Sequence, residues 1–459
     1  MDQRAELGRG DVKGLLFSLS VPTITSQIVN MLYNLVDRVF IGHMQPAETV
    51  GKLALTGVGV CLPVIMVISA FASLMAIGGA PRASIAEGAG ESGKSERIMG
   101  NCLTMLIITA LVLTVLFEAF AEPLLLMFGA SENTVGYALD YMRIYALGTV
   151  FVQLTLGMNA YITAQGFAKI SMATVLLGAV LNTALDPLFI FALGMGVRGA
   201  ALATVLSQAA SALWVLRFLT GKKTRWRLKR ENLRVSAQVV LPCIALGLSP
   251  FVMQSTESLI AICFNSSLLR CGGDIAVGTM TVLTSIMQFS HMPLQGLTQG
   301  AQPIMSYNFG AKNAGRVREA FFCLLRACVT YSMTVWLLVE LFPRAFILIF
   351  NSDPALVEYA ARAVRVYMGC SGIFGIQIAC QQTFVALGNA KTSLFLAVWR
   401  KIILLIPLIY ILPHFFADKA FAVFLAEPVA DFGAVAMTSV LFCRQFRRAL
   451  RGAEERQTI

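Results

Sequence analysis

Residues 128–171 recur as residues 350–393, 222 positions further on and without a gap. Of these 44 positions 11 are identical: Phe128, Val135, Tyr137, Ala138, Arg143, Tyr145, Ala164, Gly166, Ala168, Lys169 and Ser171 return as Phe350, Val357, Tyr359, Ala360, Arg365, Tyr367, Ala386, Gly388, Ala390, Lys391 and Ser393. The register extends upstream, where Gly78, Pro81, Ser84, Gly88, Ala89 and Gly93 return as Gly300, Pro303, Ser306, Gly310, Ala311 and Gly315. Two homologous halves are thus joined head to tail. A two-fold repeat in an apolar chain is the pattern of a transporter whose site lies between its halves.

Composition places the halves in a bilayer. The chain is 57% hydrophobic and 13% charged, with a mean hydropathy of +0.73, too apolar for a soluble fold of this length. Uncharged runs such as 98–117, 144–168 and 275–311 reach the roughly 20 residues that cross a bilayer as helix. No strand-like alternation suggests a closed barrel. The pattern predicts an all-α integral membrane protein with twelve spans, near 14–42, 53–78, 95–118, 135–163, 165–190, 197–219, 237–268, 275–299, 316–341, 356–387, 393–413 and 421–446. Six fall in each half, so the repeats are parallel and form two lobes. The expected domains are an N-terminal lobe over 1–220, a basic cytoplasmic linker over 221–236 and a C-terminal lobe over 237–459.

Charge sets the expected orientation. About 27 of the 36 Lys and Arg fall in both termini and in the connections after the even-numbered spans up to span 10, which makes that face cytoplasmic by the positive-inside rule. The net charge of +11 is thereby explained by topology and requires no nucleic-acid partner. The densest cluster, KKTRWRLKRENLR at 222–234, holds seven basic residues and reads as a connector anchored at an anionic lipid surface. No secretory signal is expected, because residues 1–13 are polar. The 10 cysteines lack metal or disulfide spacing and read as small hydrophobes. His43, His291 and His414 lie far apart in sequence and form no ligand pattern. With no phosphate loop, metalloprotease pair or nucleophile elbow, neither an ATPase nor an enzyme is expected, no cofactor or ATPase subunit is called for, and the energy source is an ion gradient.

The few charges inside spans then matter most, since each carboxylate at mid-bilayer costs about 2.5–3.5 kcal/mol on insertion scales. Asp37 lies in span 1 beside Arg38, which it alternatively neutralises. Asn182 and Asp186 are spaced i,i+4 on one face of span 5, and Pro187 follows, removing a backbone hydrogen bond. Oxygen-bearing side chains beside a loosened helix suit a cation or proton site; a polar packing contact is the alternative. Glu257 in span 7 either attracts a cationic substrate or satisfies a polar neighbour. Glu427 and Asp431, one turn apart in span 12, either line a cavity or are solvated near its outer end. Arg143 and Arg365, at equivalent repeat positions, read as structural. Met253, Met280, Met287, Met292, Phe251 and Phe289 with Gln254 and Gln288 on spans 7 and 8 would make a pliable cavity for flat cations, or else ordinary packing.

Taken in order, Pro22 and Asp37, the NxxxDP of span 5, the equivalent connections GGAPRASIAEGAG and QGAQPIMSYNFGA, and LAEPVAD at 425–431 resemble the multidrug and toxic compound extrusion (MATE) transporters over essentially the whole chain, and within them the bacterial MepA-like branch. The resemblance implies an exporter of amphipathic, often cationic small molecules, driven by H⁺ or Na⁺ antiport through alternating access, in the bacterial inner membrane. It implies a coupling-ion site on Asp37, Asn159, Asn182, Asp186 and Thr204, and a hinge at Pro22. Hard oxygen ligands suit Na⁺ and a desolvated carboxyl suits H⁺, so the coupling ion stays open. Another branch of the family carries acids on spans 7 and 10; here span 10 has Gln377, Gln381 and Gln382 instead. Asn159 and Gln381 occupy equivalent positions, so each lobe presents an amide, and the expected substrate cavity takes Glu257, Gln288, Gln381, Met287 and Met292. A lipid-linked oligosaccharide flippase is the alternative, disfavoured because the mid-span charges read as mainly acidic. A major-facilitator transporter is disfavoured because its Asp-Arg-Gly-Arg-like run is absent after span 2.

Overall fold

The computed structural model describes residues 7–44, 50–350 and 353–455, with side chains to 451. Among these residues all regular structure is helical, one of the two ways, with the closed barrel, in which a backbone in hydrocarbon satisfies its polar groups. Among the described residues nine helices are long and apolar enough to cross a membrane. Val12–Gly42, Lys52–Gly88, Ser92–Ala119, Ala168–Ala192, Val197–Thr220, Ala314–Leu341, Ala390–His414 and Lys419–Arg451 take the places of spans 1, 2, 3, 5, 6, 9, 11 and 12. The ninth, Ala237–Gly310, runs 74 residues through spans 7 and 8 and breaks at Gly273, whose φ of +66° favours glycine. Span 10 is the bent pair Pro354–Tyr367 and Ser371–Ala386, turned by 46°. Span 4 is likewise split into Val135–Leu147 and Thr149–Ala164. The protein is a multi-pass membrane protein, and its described helices take the places of the twelve expected spans.

The duplication is visible atom by atom. Ser84 Oγ donates to Ala164 O (3.4 Å) in the first half, and Ser306 Oγ to Ala386 O (2.8 Å) at the same offset in the second. Spans 4 and 10 break at the equivalent residues Gly148 and Cys370. The turns after spans 2 and 8 place Gly90 at φ +84° and its counterpart Lys312 at φ +59°. The segments GGAPRASIAEGAG and QGAQPIMSYNFGA, read from sequence as connections, are largely helical: Pro81 and Pro303 lie inside helices that continue to Gly88 and Gly310. Buried Ser84 and Ser306 explain the extension, because they hold these stretches against spans 4 and 10.

Two compact units result, 25–247 and 1–24 with 248–459. Their borders differ from the sequence-based division, and close helix packing is the reason. In the first unit a Cβ on Gly78 would run into Cys243 O, and one on Gly247 into Leu74 O, so spans 2 and 7 touch backbone to backbone. In the second, Gly300 abuts Ser20 and Gly296 abuts Ile24, while Thr23 Oγ1 donates to Gly296 O (2.6 Å) and Asn308 Nδ2 to Leu7 O (2.9 Å). Each unit therefore contains the opening stretch of the other half's first span. Small residues at such crossings are how membrane helices approach closely.

The segment 222–234 is also no free connector. Gln165 Oε1 accepts from Thr224 Oγ1 (2.9 Å) and the backbone N of Arg225 (2.8 Å) and Trp226 (3.0 Å). Asn101 Nδ2 donates to Asn232 O (3.0 Å), Lys229 pairs with Glu96 (2.6 Å), and Trp226 is 1% exposed. The segment is strapped onto the first unit while Lys222, Lys223, Arg227, Arg230 and Arg234 stay exposed. Each unit has its own core, around Ile68, Leu113, Tyr141 and Met142 in the first and Phe264, Leu283, Tyr367 and Phe424 in the second. Leu111, Val112 and Val115 on span 3 and Leu337, Leu338 and Leu341 on span 9 are exposed, as lipid-facing residues are.

Gly247→Val should destabilise the first unit and Gly300→Val the second, each by about 1–3 kcal/mol from overpacking. Thermal unfolding of the purified protein in detergent checks this, and a wild-type midpoint for both variants would contradict the close crossings.

Candidate functional site

Span 5 places Asn182 and Asp186 one turn apart, 2% and 0% exposed. Pro187 supplies no amide hydrogen, and Leu188–Ala192 continues as a π-helix. Span 6 approaches with Thr204. Asn182 Nδ2 lies 3.3 Å from both Asp186 Oδ1 and Thr204 Oγ1, and Thr204 Oγ1 donates to Ala200 O (3.1 Å). Asp37, buried on span 1, is close enough to Asp186, Tyr33 and Tyr141 to act on each electrostatically. The remaining acceptors are the notable feature. Asp37 Oδ1, Asn182 Oδ1 and Asp186 Oδ2 are all buried with no hydrogen-bond partner. A cavity beside them is lined by Asn30, Thr155, Thr174, Ser207, Gln208 and Ser211. Gly178 keeps it open, since a Cβ there would sit 2.7 Å from Ser211 Oγ. A cluster of acceptor oxygens rich in carboxylate can hold a hard monovalent cation or exchange a proton.

Asn159 does not share these contacts: its Nδ2 donates to Ser171 O (3.3 Å), and its Oδ1 is buried and unpartnered. Pro22 is buried inside the helix Val12–Gly42, two residues before the border between units.

The second unit concentrates charge that the sequence reading missed. Arg400 Nε donates to Asp431 Oδ1 (2.7 Å) and Arg400 Nη2 to Glu427 Oε1 (2.9 Å); the three side chains are 3–8% exposed. The Arg400 guanidinium also lies 4.5 Å from the Phe374 ring, on whose plane His291 stacks at 5.2 Å. Lys401 Nζ pairs with Glu257 Oε1 and donates to Met253 O (3.3 Å). One of the two alternatives for Glu427 and Asp431 is removed: they are not solvated near the outer end of a span but enclosed against Arg400. The mid-span charges include, besides the carboxylates, two buried cations that face three of them. The readable signal was the basic pair inside the apolar run of span 11, which must find carboxylates in the bilayer, together with the shared face of Glu427 and Asp431.

Of the other expected cavity residues, Gln381 is enclosed, accepting from Gln377 Nε2 (2.6 Å) and donating to Ser249 Oγ (3.5 Å). Gln288 is exposed, while Met287 and Met292 are half-buried, Met287 against the core of the unit. Thr281, Ser285, Gln288, Met292 and Gln295 follow at helical spacing, and Gln254, Glu257, Ser258 and Asn265 do the same on span 7. Each row is exposed or half-buried. Polar stripes of this kind on spans face water or protein, not lipid.

Comparison with known proteins bears on this arrangement. The family model MatE matches residues 22–188 and 250–411. The multidrug export protein MepA of Staphylococcus haemolyticus is 24% identical over 419 residues, 91% of each chain; that of Staphylococcus aureus strain N315 is 23% identical over 401 residues, 87% of each. Among solved structures, a MATE protein in its bent conformation superposes with a TM-score of 0.91 at 22% identity, covering 98% of this chain and 99% of the other. A transporter of the MOP superfamily from Pyrococcus furiosus, described as having a binding pocket of reverse polarity, gives 0.89 at 24% identity over 97% and 98%.

Arg400→Met leaves two buried carboxylates facing each other and should cost about 3–5 kcal/mol. Replacing all three groups, as Arg400→Met with Glu427→Gln and Asp431→Asn, should restore most of that stability. Thermal unfolding of the two variants decides, and equal losses would contradict a fully enclosed triad.

Proposed function

The chain belongs to the MatE family of transporters, and from that membership we propose that it is a multidrug exporter which moves amphipathic, often cationic compounds out of the cell in exchange for H⁺ or Na⁺. The observation that carries the coupling is the set of buried, unpartnered acceptors on Asp37, Asn182 and Asp186, with Thr204 beside them. A buried oxygen with no donor is costly, and a proton or sodium ion removes that cost when it arrives. Loss of the ion restores it, so occupancy biases the conformation of spans 1, 5 and 6. Alternating access follows if the substrate binds one of the resulting conformations better than the other. Pro22 serves as the hinge in span 1, because the missing amide hydrogen weakens the helix there.

The curated relatives are bacterial, which makes the membrane the cytoplasmic one, with both termini inside by the distribution of Lys and Arg. On the substrate side we assign Glu257, Gln288, Met287 and Met292 to the wall of the binding cavity, with the amide of Gln381 behind them. A flippase for lipid-linked phosphates needs free cations. Arg400 is held by two carboxylates and Lys401 by one, and that engagement favours the exporter.

Ethidium efflux from everted vesicles under separately imposed Na⁺ and H⁺ gradients tests the proposal. Wild-type vesicles should transport with one of the two gradients and not with substrate alone. Asp37→Asn and Asp186→Asn should fall to the background of empty vesicles at matched expression. Wild-type rates in either variant would refute the coupling site.

A further inference from the structure

The two ion-pair groups of the second unit are built differently. The triad of Arg400, Glu427 and Asp431 is closed, with side chains no more than 8% exposed. The pair of Lys401 and Glu257 is one-sided: the lysine is 3% exposed and the glutamate 55%. Lys401 reaches Glu257 from inside the unit, and the opposite side of the carboxylate remains open. The triad also carries one carboxylate more than its single guanidinium neutralises, and Glu427 lies within electrostatic reach of Lys401. The ammonium thus has two anionic partners, one open to approach and one enclosed. Arg400 and Lys401 are both buried and lie in the π-helix Trp399–Leu405, a distortion common at functional sites.

We infer that Lys401 is an exchangeable counter-cation: it occupies Glu257 until a cationic substrate displaces it, and it is then taken up by the surplus negative charge of the Arg400 triad. The inference rests on the export reading above and adds the group against which a substrate cation competes. Glu257 is then never left uncompensated in the membrane. A cation must be strong enough to displace a tethered ammonium, which favours cations that lose little hydration, such as bulky organic ones, over small hydrated ions. Neutral compounds gain nothing from Glu257 and do not disturb the pair.

Equilibrium binding of tetraphenylphosphonium, and of neutral triphenylphosphine oxide, to the full-length protein in nanodiscs tests this. Lys401→Met should bind the cation roughly tenfold more tightly than wild type, equivalent to about 1.4 kcal/mol, with the neutral compound unchanged. Glu257→Gln with Lys401→Met, which removes both charges together, should bind the cation no more tightly than Glu257→Gln alone. Glu427→Gln supplies an arm that does not depend on how well Lys401→Met folds. It removes the receiving charge, so cation binding should weaken while the neutral compound is unaffected. Unchanged cation binding in folded Lys401→Met, or in Glu427→Gln if Lys401→Met does not fold, overturns the inference, as does failure of wild type and Lys401→Met alike to bind the cation. The export reading is judged separately, by gradient-driven efflux.

Discussion

An ionised side chain in the hydrocarbon region must be compensated inside the protein, because neither lipid nor water will do it there. The two lobes meet this constraint in opposite ways. In the second, Arg400 is matched by two carboxylates and a ring face, and Lys401 by Glu257 and a backbone carbonyl. In the first, Asn182 donates to Asp186, while Asp37 Oδ1, Asn182 Oδ1 and Asp186 Oδ2 are left unmet. One lobe carries its own cations; the other leaves buried acceptors without a donor. Under the proposed coupling that difference has a use, since only an incompletely satisfied site responds to an ion gradient.

The duplicated chain makes the contrast sharper. Both halves keep the same serine bonds to spans 4 and 10, the same breaks at Gly148 and Cys370, and the same reversed turns at Gly90 and Lys312. These conserve the path of the backbone. Asn159 and Gln381 are repeat-equivalent, yet one is bonded to Ser171 and the other to Gln377 and Ser249. Backbone geometry thus survives where side-chain chemistry has diverged, because crossings such as Gly78 on Cys243 and Gly300 on Ser20 tolerate no bulk, whereas a polar side chain needs only some partner within reach.

The same distinction explains what could be read in the sequence. The spans, their pairing and the offset were legible because each rests on many residues. The N-lobe cluster was legible in part: i,i+4 spacing puts Asn182 and Asp186 on one face, but whether Thr204 and Asp37 meet them depends on how three helices cross. The helical course of the segments after spans 2 and 8 was hidden by Pro81, Pro303 and several glycines, which usually end helices and are tolerated in membrane helices where tertiary contacts re-satisfy the backbone. The basic segment 222–234 read by composition as a connector anchored at an anionic lipid surface; Gln165, far away in sequence, fastens it to the first unit.

The charges of span 11 carried no expectation, because Arg400 and Lys401 are adjacent and no i,i+3 or i,i+4 spacing marks them as one face. In the structure both are buried, within the π-turn Trp399–Leu405. A second π-turn, Leu188–Ala192, follows Asp186 and Pro187 in span 5. Each lobe therefore sets its ionisable cluster at or beside a local widening of a helix. There the hydrogen-bond ladder is already disturbed, and a small movement of the backbone costs less than in the regular turns on either side.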